Sequence, residues 1–442
     1  MKRYKYLLTY FAVFLYLSLS KDITFAKNIS FNKHFHDFYH ENNVDFTYKT
    51  TIKTVQLKRE DWNLSYPVLD MNDQLPLILS FDDLSDDPVT YSYTLVHCNS
   101  NWEPTGIIKN DYLDGMHEEI IRDYEFSQNT HQNYIHYSLA IPNEDMRPTL
   151  SGNYIIKVFE NYNEENVVLT RRFFLVDHKV EIKGEARRSN NLDNFYTHQE
   201  LDFKVLHDHL PIDDPFQNIR VVVMQNFDWQ TAITDLSPTF TAPDELIYDY
   251  EEENQFYGLS EFRHFETKNL KYITEGIDFI RFERPLNHVY LLPDQSRSVG
   301  DYIYEEDING KFLVTYHLDY DPNTGADYVR VHFNLPFDGP VTGGQMYVYG
   351  ALSDWSISPE FRMEYDMETK RYKLPALLKQ GYYNYQYRFV PDPGVIDPSF
   401  IEGSFYETEN DYLIFIYYQN FSDRHQQLVG FQALNSVNKN LN

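Results

Sequence analysis

Short stretches alternating apolar with polar residues, each closed by Asn, Asp, Pro or Gly, follow one another along almost the whole chain. "DFTYKTTIKTVQL", "LPLILSF", "TYSYTLVHC", "YIHYSLAIP", "NYIIKVFEN" and "VVLTRRFFLV" come first. "KVEIKGEARR", "QELDFKVLH", "IRVVVMQN", "IDFIRFERP" and "NHVYLLP" come next. "GKFLVTYHL", "DYVRVHFNLP", "QMYVYG", "KLPALL", "LLKQGYYNYQYRF" and "DYLIFIYYQ" close the series. A period of two puts successive side chains on opposite faces of a strand, so these stretches read as strands with one buried face. Aromatic residues at 17%, with 38 Tyr and 32 Phe, strengthen that reading, because such side chains fit a pleated surface. The chain of 442 residues is too long for one β-domain and suits two or three. The expected fold class is all-β: tandem antiparallel β-sandwich domains of immunoglobulin or E-set type.

Polar and acidic interruptions set the expected boundaries. An N-terminal sandwich spans 27–178, a middle β-rich domain 179–308 and a C-terminal E-set-like sandwich 309–442. The second boundary falls in "DQSRSVGDYIYEEDING". Residues 1–26 are a different object: basic "MKRYKY", apolar "LLTYFAVFLYLSLS" and small residues ending at Ala26 read as a secretory signal peptide. The lone cysteine, Cys98, excludes an intramolecular disulfide and reads as a small buried residue, so an exported chain must hold together by core burial. A net charge of −29 repels phosphates, which argues against nucleic acid and anionic lipid as partners.

Catalytic signatures are thin. No G-x-S-x-G, H-E-x-x-H or phosphate-cradling glycine loop occurs. His34, His36 and His40, and His207, Asp208 and His209, have metal-ligand chemistry but read as solvated polar groups. Asp319, Asp321 and Asn323 keep a calcium-loop rhythm, yet Arg330 stands where the bidentate glutamate belongs, so the stretch reads as a turn. Asp82–Asp83 and Asp86–Asp87 also read as turn residues. No catalytic residue, cofactor, metal or small-molecule substrate is expected. Trp62, Trp102 and Trp229 are expected in cores or between domains.

"LLKQGYYNYQYRF" carries the sharpest expectation. Tyr383, Tyr385, Tyr387 and Phe389 share one face, read as core, while Tyr382, Asn384, Gln386 and Arg388 share the other. Tyr382 and Arg388 on that outer face are candidates for a protein contact, as Tyr and Arg are common interface anchors. Arg171 and Arg172, adjacent on "VVLTRRFFLV" and so pointing to opposite sides, read first as partners of local carboxylates and second as interaction candidates.

Two resemblances add to this. "MYVYGALSDW" followed by "GYYNYQYRF" resembles small β-sandwich modules that bind glycogen and starch, in which a loop tryptophan stacks on glucose. That likeness implies Trp355 as a glycan-stacking residue, although "VPDPGVIDPSF" lacks the second platform tryptophan. A broader resemblance rests on His97-Cys98 with Trp102, Ser151-Gly152-Asn153-Tyr154, Arg171-Arg172-Phe173, "ALLKQGYYNYQY" and "IEGSFYETENDYLIFIYY". In this order they resemble the plug protein family of the type IX secretion system. The resemblance implies a non-enzymatic periplasmic plug that seals the periplasmic end of the outer-membrane translocon barrel, touching the outer membrane only through that partner. A carbohydrate-binding protein using Trp355, and a secreted adhesin or structural protein, are the alternatives.

Overall fold

The alternating stretches do form strands. The computed structural model describes residues 43–317 and 321–437, and the expected leader, residues 1–26, lies outside them. Among the described residues there are 29 strands, and no helix exceeds four residues. Antiparallel pairing dominates, and the strands assemble into three sandwiches.

The first sandwich uses strands from Phe46 to Val176, which pair only with one another. One sheet centres on Tyr91–Cys98, Gly152–Glu160 and Val167–Val176, and the other on Ile52–Arg59, Leu77–Asp83 and Ile135–Ile141. Gly152 opens the hairpin at a positive φ of 145°, and residues 161–166 turn it back. Leu79, Phe81, Tyr137, Tyr154, Ile156 and Leu169 fill the space between the sheets.

The other two sandwiches close differently from a division at 308/309. The second joins Glu181–Arg188, His198–Leu206 and Ile219–Gln225 to Asp411–Tyr418 and Gln427–Asn435, from the far end of the chain. Residue Val222 faces Phe415 across that antiparallel pair. The third lies wholly between these halves, from Arg263–Glu266 to Gly381–Pro391, with Phe265, Val331, Phe333, Tyr383 and Tyr385 in its core. It is thus an insertion into the second. The acidic stretch near residue 300 is a connection inside the third sandwich, between Leu286–Leu291 and Phe312–Val314. Local composition marked a loop there; the long-range pairing that defines the unit has no local signal.

Strand Asp411–Tyr418 is buried throughout. Tyr412, Ile414 and Ile416 face the second core, and Leu413, Phe415 and Tyr417 face the first sandwich. There they join Val222, Met224, Ile155, Phe174, Val176 and Trp102 in an apolar layer between sandwiches. Phe174 stacks on Phe415 with centroids 4.2 Å apart, and Trp102 meets Phe174 and Trp229 edge-on at 5.2 and 5.3 Å. Arg172 lies 4.8 Å from both the Trp102 and Trp229 rings, a desolvated cation between two indoles. Cys98 is in the same layer, and burial pushes its thiol up to about 12.

Buried polar groups join the first and third sandwiches. Asp82, fully buried on Leu77–Asp83 rather than in a turn, accepts from Lys379 Nζ at 2.7 Å and from the Tyr328 hydroxyl at 2.7 Å. It also meets His136 Nδ1 at 2.7 Å. Burial alone would raise its carboxyl, but Lys379 and His136 hold it below the usual range.

Because Trp102 is 4% exposed and sits in a layer shared by two sandwiches, Trp102→Ala is expected to cost roughly 3–5 kcal/mol. Chemical denaturation followed by circular dichroism measures it, and an unchanged midpoint would show that the layer contributes nothing. Calorimetry of the unmodified chain is expected to show one cooperative transition rather than three.

Candidate functional site

The three sandwiches meet around a cavity of about 130 Å³, and the sequence candidates Arg171, Arg172 and Trp355 all line it. Arg171 and Arg172 come from strand Val167–Val176 of the first sandwich, and alternation sends them apart. Arg171 Nη2 pairs with Asp354 Oδ1 of the third sandwich at 2.8 Å and donates to the Thr47 hydroxyl at 3.1 Å. Arg172 goes to the indoles, while its backbone N–H donates to Asp45 Oδ1 at 2.6 Å. Burial raises the Asp45 carboxyl against the opposing pull of Arg172 and Arg171, and burial lowers the Arg172 guanidinium. Both arginines are 5% exposed, so their guanidiniums tie parts of this chain together.

Trp355 follows Gly350 and a single 3-10 turn at Ala351–Ser353. Its ring meets Phe262 at 6.0 Å and Tyr349 at 5.7 Å, both edge-on. Its Cη2 would lie 2.3 Å from a Cβ placed on Gly310, whose φ is +77°; only glycine fits that position. The indole is thereby packed into the junction.

Lys311 is the residue that sequence reading missed. It precedes strand Phe312–Val314 of the third sandwich, donates to the Leu64 carbonyl of the first at 2.8 Å, and lies 3.8 Å from the Tyr66 ring centroid. Its ammonium also stands 4.0 Å from Asp411 of the second sandwich. Asp411 in turn accepts from the Tyr66 hydroxyl at 2.6 Å and from Asn435 Nδ2 at 2.9 Å. One lysine therefore touches all three sandwiches. "NGKFLV" reads as a turn and a strand start, and nothing local in it signals that junction.

Tyr382 and Arg388 lie elsewhere, and the outer face to which they were assigned is covered. The tyrosine face matches the expected core: Tyr383, Tyr385 and Tyr387 are buried, with the last two donating to Asp294 Oδ2 at 2.7 and 2.6 Å. On the opposite face Asn384, Gln386 and Arg388 are 0%, 1% and 5% exposed. Asn384 Oδ1 accepts from the Ile308 N–H at 2.7 Å, Gln386 donates to the Ser260 carbonyl, and Arg388 donates to the Pro398 carbonyl. Tyr382 is half-buried against His264. Loops from the long connections pack over this face and supply backbone partners to Asn384 Oδ1, Gln386 Nε2 and Arg388 Nη1, which strand periodicity cannot foresee.

The remaining candidates are local. Asp321 caps the single turn Pro322–Gly325 by accepting from the Asn323 N–H, while Asp319 lies outside the described residues, as do His34, His36 and His40. His207 is buried beside the Leu210 carbonyl at 3.2 Å. What the junction does chemically is hold surfaces together through mixed charge.

Burial lowers the Lys311 ammonium from 10.5 to about 8, against the opposing pull of Asp411. Between about pH 8 and 10.5 the unfolded chain keeps a proton that the folded chain has released, so this group adds stability as pH rises through that window. Below it the buried charge is carried at its full cost. Lys311→Met is expected to abolish that rise, read as the difference in melting temperature between the two proteins from pH 7 to 10.5. Parallel pH curves would show that Lys311 titrates normally.

Residues 52–177 match the family described as type 9 secretion system plug protein, first domain, and this range takes in the first sandwich apart from its short strand Phe46–Thr47. None of the curated proteins compared with the chain matches it. Among solved structures, the crystal structure of a hypothetical protein from Parabacteroides merdae is similar at 31% identity with a TM-score of 0.86. The alignment covers 89% of this chain and 99% of that one, so it takes in all three sandwiches and not the first alone. The chain therefore belongs to one family with the Parabacteroides protein along most of its length, and its first sandwich matches the first domain of type 9 secretion system plug proteins.

Proposed function

We propose that this protein is a non-enzymatic plug of the type IX secretion system, seated at the periplasmic mouth of the outer-membrane translocon barrel. The observation that carries the reading is the match of residues 52–177 to the plug family, in a chain whose first two sandwiches share an apolar layer and whose third is tied to the first by buried polar groups. A pore wide enough for folded cargo leaks when idle, and a cover for it must resist bending more than it must do chemistry. The first and second sandwiches share an apolar layer, and the first and third share the buried Asp82–Lys379 pair, which together stiffen such a cover. A cover that leaves and returns needs an interface of moderate area with a polar rim. The charge of −29 would speed its return to a basic rim by steering.

Cells lacking the protein are expected to take up a large antibiotic that the intact outer membrane excludes, and the full-length chain supplied in trans is expected to restore exclusion. Affinity capture from outer membranes in mild detergent is expected to recover the translocon barrel. An undisturbed barrier in the deletion strain, or recovery of the protein from the medium instead of the periplasm, would overturn the proposal.

A further inference from the structure

The apolar layer between the first and second sandwiches opens at one rim into a cleft of about 540 Å³. Val68 of the first sandwich, with Phe431 and Ala433 of the second, supplies its apolar lining. The turn after strand Ile52–Arg59 supplies another wall and carries Trp62. That turn is held by its own backbone. The Trp62 N–H donates to the Arg59 carbonyl at 3.4 Å, the Ser65 N–H to the Trp62 carbonyl at 3.2 Å, and the Arg59 N–H to the Ser65 hydroxyl at 2.7 Å. Trp62, expected in a core or between domains, differs from the other three tryptophans. Trp102, Trp229 and Trp355 each pack against other rings. Trp62 is half-buried in the cleft wall, and among the described residues its indole has no ring or cation partner and its indole N–H no hydrogen bond.

The charges around the cleft do not balance. Three carboxylates line it, Asp61, Asp70 and Asp73, against one permanent cation, Arg59. Arg59 Nε donates to Asp61 Oδ1 at 3.2 Å and its Nη1 to Asp73 Oδ2 at 2.6 Å, so two carboxylates share one guanidinium. Asp70 accepts from the Asn72 N–H at 2.7 Å and lies 3.5 Å from His178 Nε2. The lining keeps two negative charges in excess of Arg59, or one when His178 is protonated. Asp61 Oδ2 and Asp73 Oδ1 accept no hydrogen bond among the described residues. Because both carboxylates hang on one guanidinium, these two oxygens lie within reach of one small ligand.

We propose that this cleft binds an alkyl guanidinium, the chemistry of an arginine side chain. The alkyl stem lies along Val68 and Phe431, and the planar head stacks on Trp62 and donates to Asp61 Oδ2 and Asp73 Oδ1. The carboxylate excess left after Arg59 has taken its partners selects a cation. A sugar would use the indole but gain nothing from that excess, and an anion would be repelled by it. A guanidinium meets both features, because it is flat, weakly hydrated and rich in N–H donors, and it stacks on an indole face. An ammonium is a compact, strongly hydrated charge without that flat face. A free alkylguanidine and an arginine of a protein partner share this chemistry. The inference stands apart from the plug reading, because it concerns one cleft and not the seal.

The test is isothermal titration calorimetry of the full-length protein with n-butylguanidinium chloride, for which a Kd on the order of 0.1–1 mM is expected. Uncharged n-butylurea, of similar shape, and maltose are expected not to bind. Acetyl-Gly-Arg-Gly-amide separates the sources: if it binds as well as n-butylguanidinium the cleft takes an arginine of a protein, and if it does not the cleft takes the free alkylguanidine. Trp62→Ala is expected to weaken n-butylguanidinium binding about tenfold, and Asp61→Asn about fivefold. Asp61 is exposed, so the Asp61→Asn protein is expected to melt with the parent, and its loss reports on the cleft alone. The inference fails if n-butylguanidinium does not bind, if n-butylurea or maltose binds as tightly, or if neither substitution weakens binding.

Discussion

Strand Val167–Val176 works on both faces, and the rest of the structure depends on that. Leu169 and Phe173 point into the first sandwich, while Phe174 and Val176 point out of it into the second. The 4.2 Å stack of Phe174 on Phe415 lies where a surface would be if the first sandwich were free-standing. Arg172 continues the contact between Trp102 and Trp229, keeping its aliphatic stem and planar head in a dry site where a lysine would have nothing to stack. With one cysteine in the chain, cohesion among the sandwiches rests on such contacts.

Period-two alternation made the strands, the hairpin from Gly152 and the Tyr383–Tyr387 core legible in the sequence, because each depends on neighbours a few residues apart. "DYLIFIYY" carried further information: an unbroken apolar run marks a strand covered on both sides. What such a run does not carry is the identity of its partners. Asp411–Tyr418 pairs with Ile219–Gln225, and nothing near either segment says so. That pairing turns the third sandwich into an insertion. The junction residues suffered the same limit. Arg171 and Arg172 were visible as charges out of place on a strand, whereas Lys311 and Asp354 look like ordinary turn residues until three distant segments converge. Asn384 and Gln386 misled because polar side chains on a strand usually mean solvent, and here loop backbone covers them and takes the place of water at Asn384 Oδ1 and Gln386 Nε2.

The buried ionic groups add geometry more than energy. Taking Asp82 and Lys379 out of water costs several kcal/mol per ion, which their attraction only partly offsets, so replacing both with apolar residues need not weaken the fold. Removing one alone strands the other. An apolar layer tolerates sliding, whereas Asp82 between Lys379, Tyr328 and His136 accepts one alignment of the first sandwich on the third. Lys311 does the same at the point where all three meet.

This division of labour bears on how a plug would open. If the sandwiches were joined by thin polar contacts, a pore could be cleared by swinging one of them aside, at a cost of the order of a transient interface. Here moving the first sandwich from the second exposes Phe174, Phe415, Trp102 and Met224 together, and moving it from the third leaves Asp82 and Lys379 buried without partners or forces their rehydration. Both amount to partial unfolding. In a plug built this way the weaker boundary would be the one with its partner, and the body would leave the pore whole. Whatever releases it would act on its outer rim and not on its internal joints.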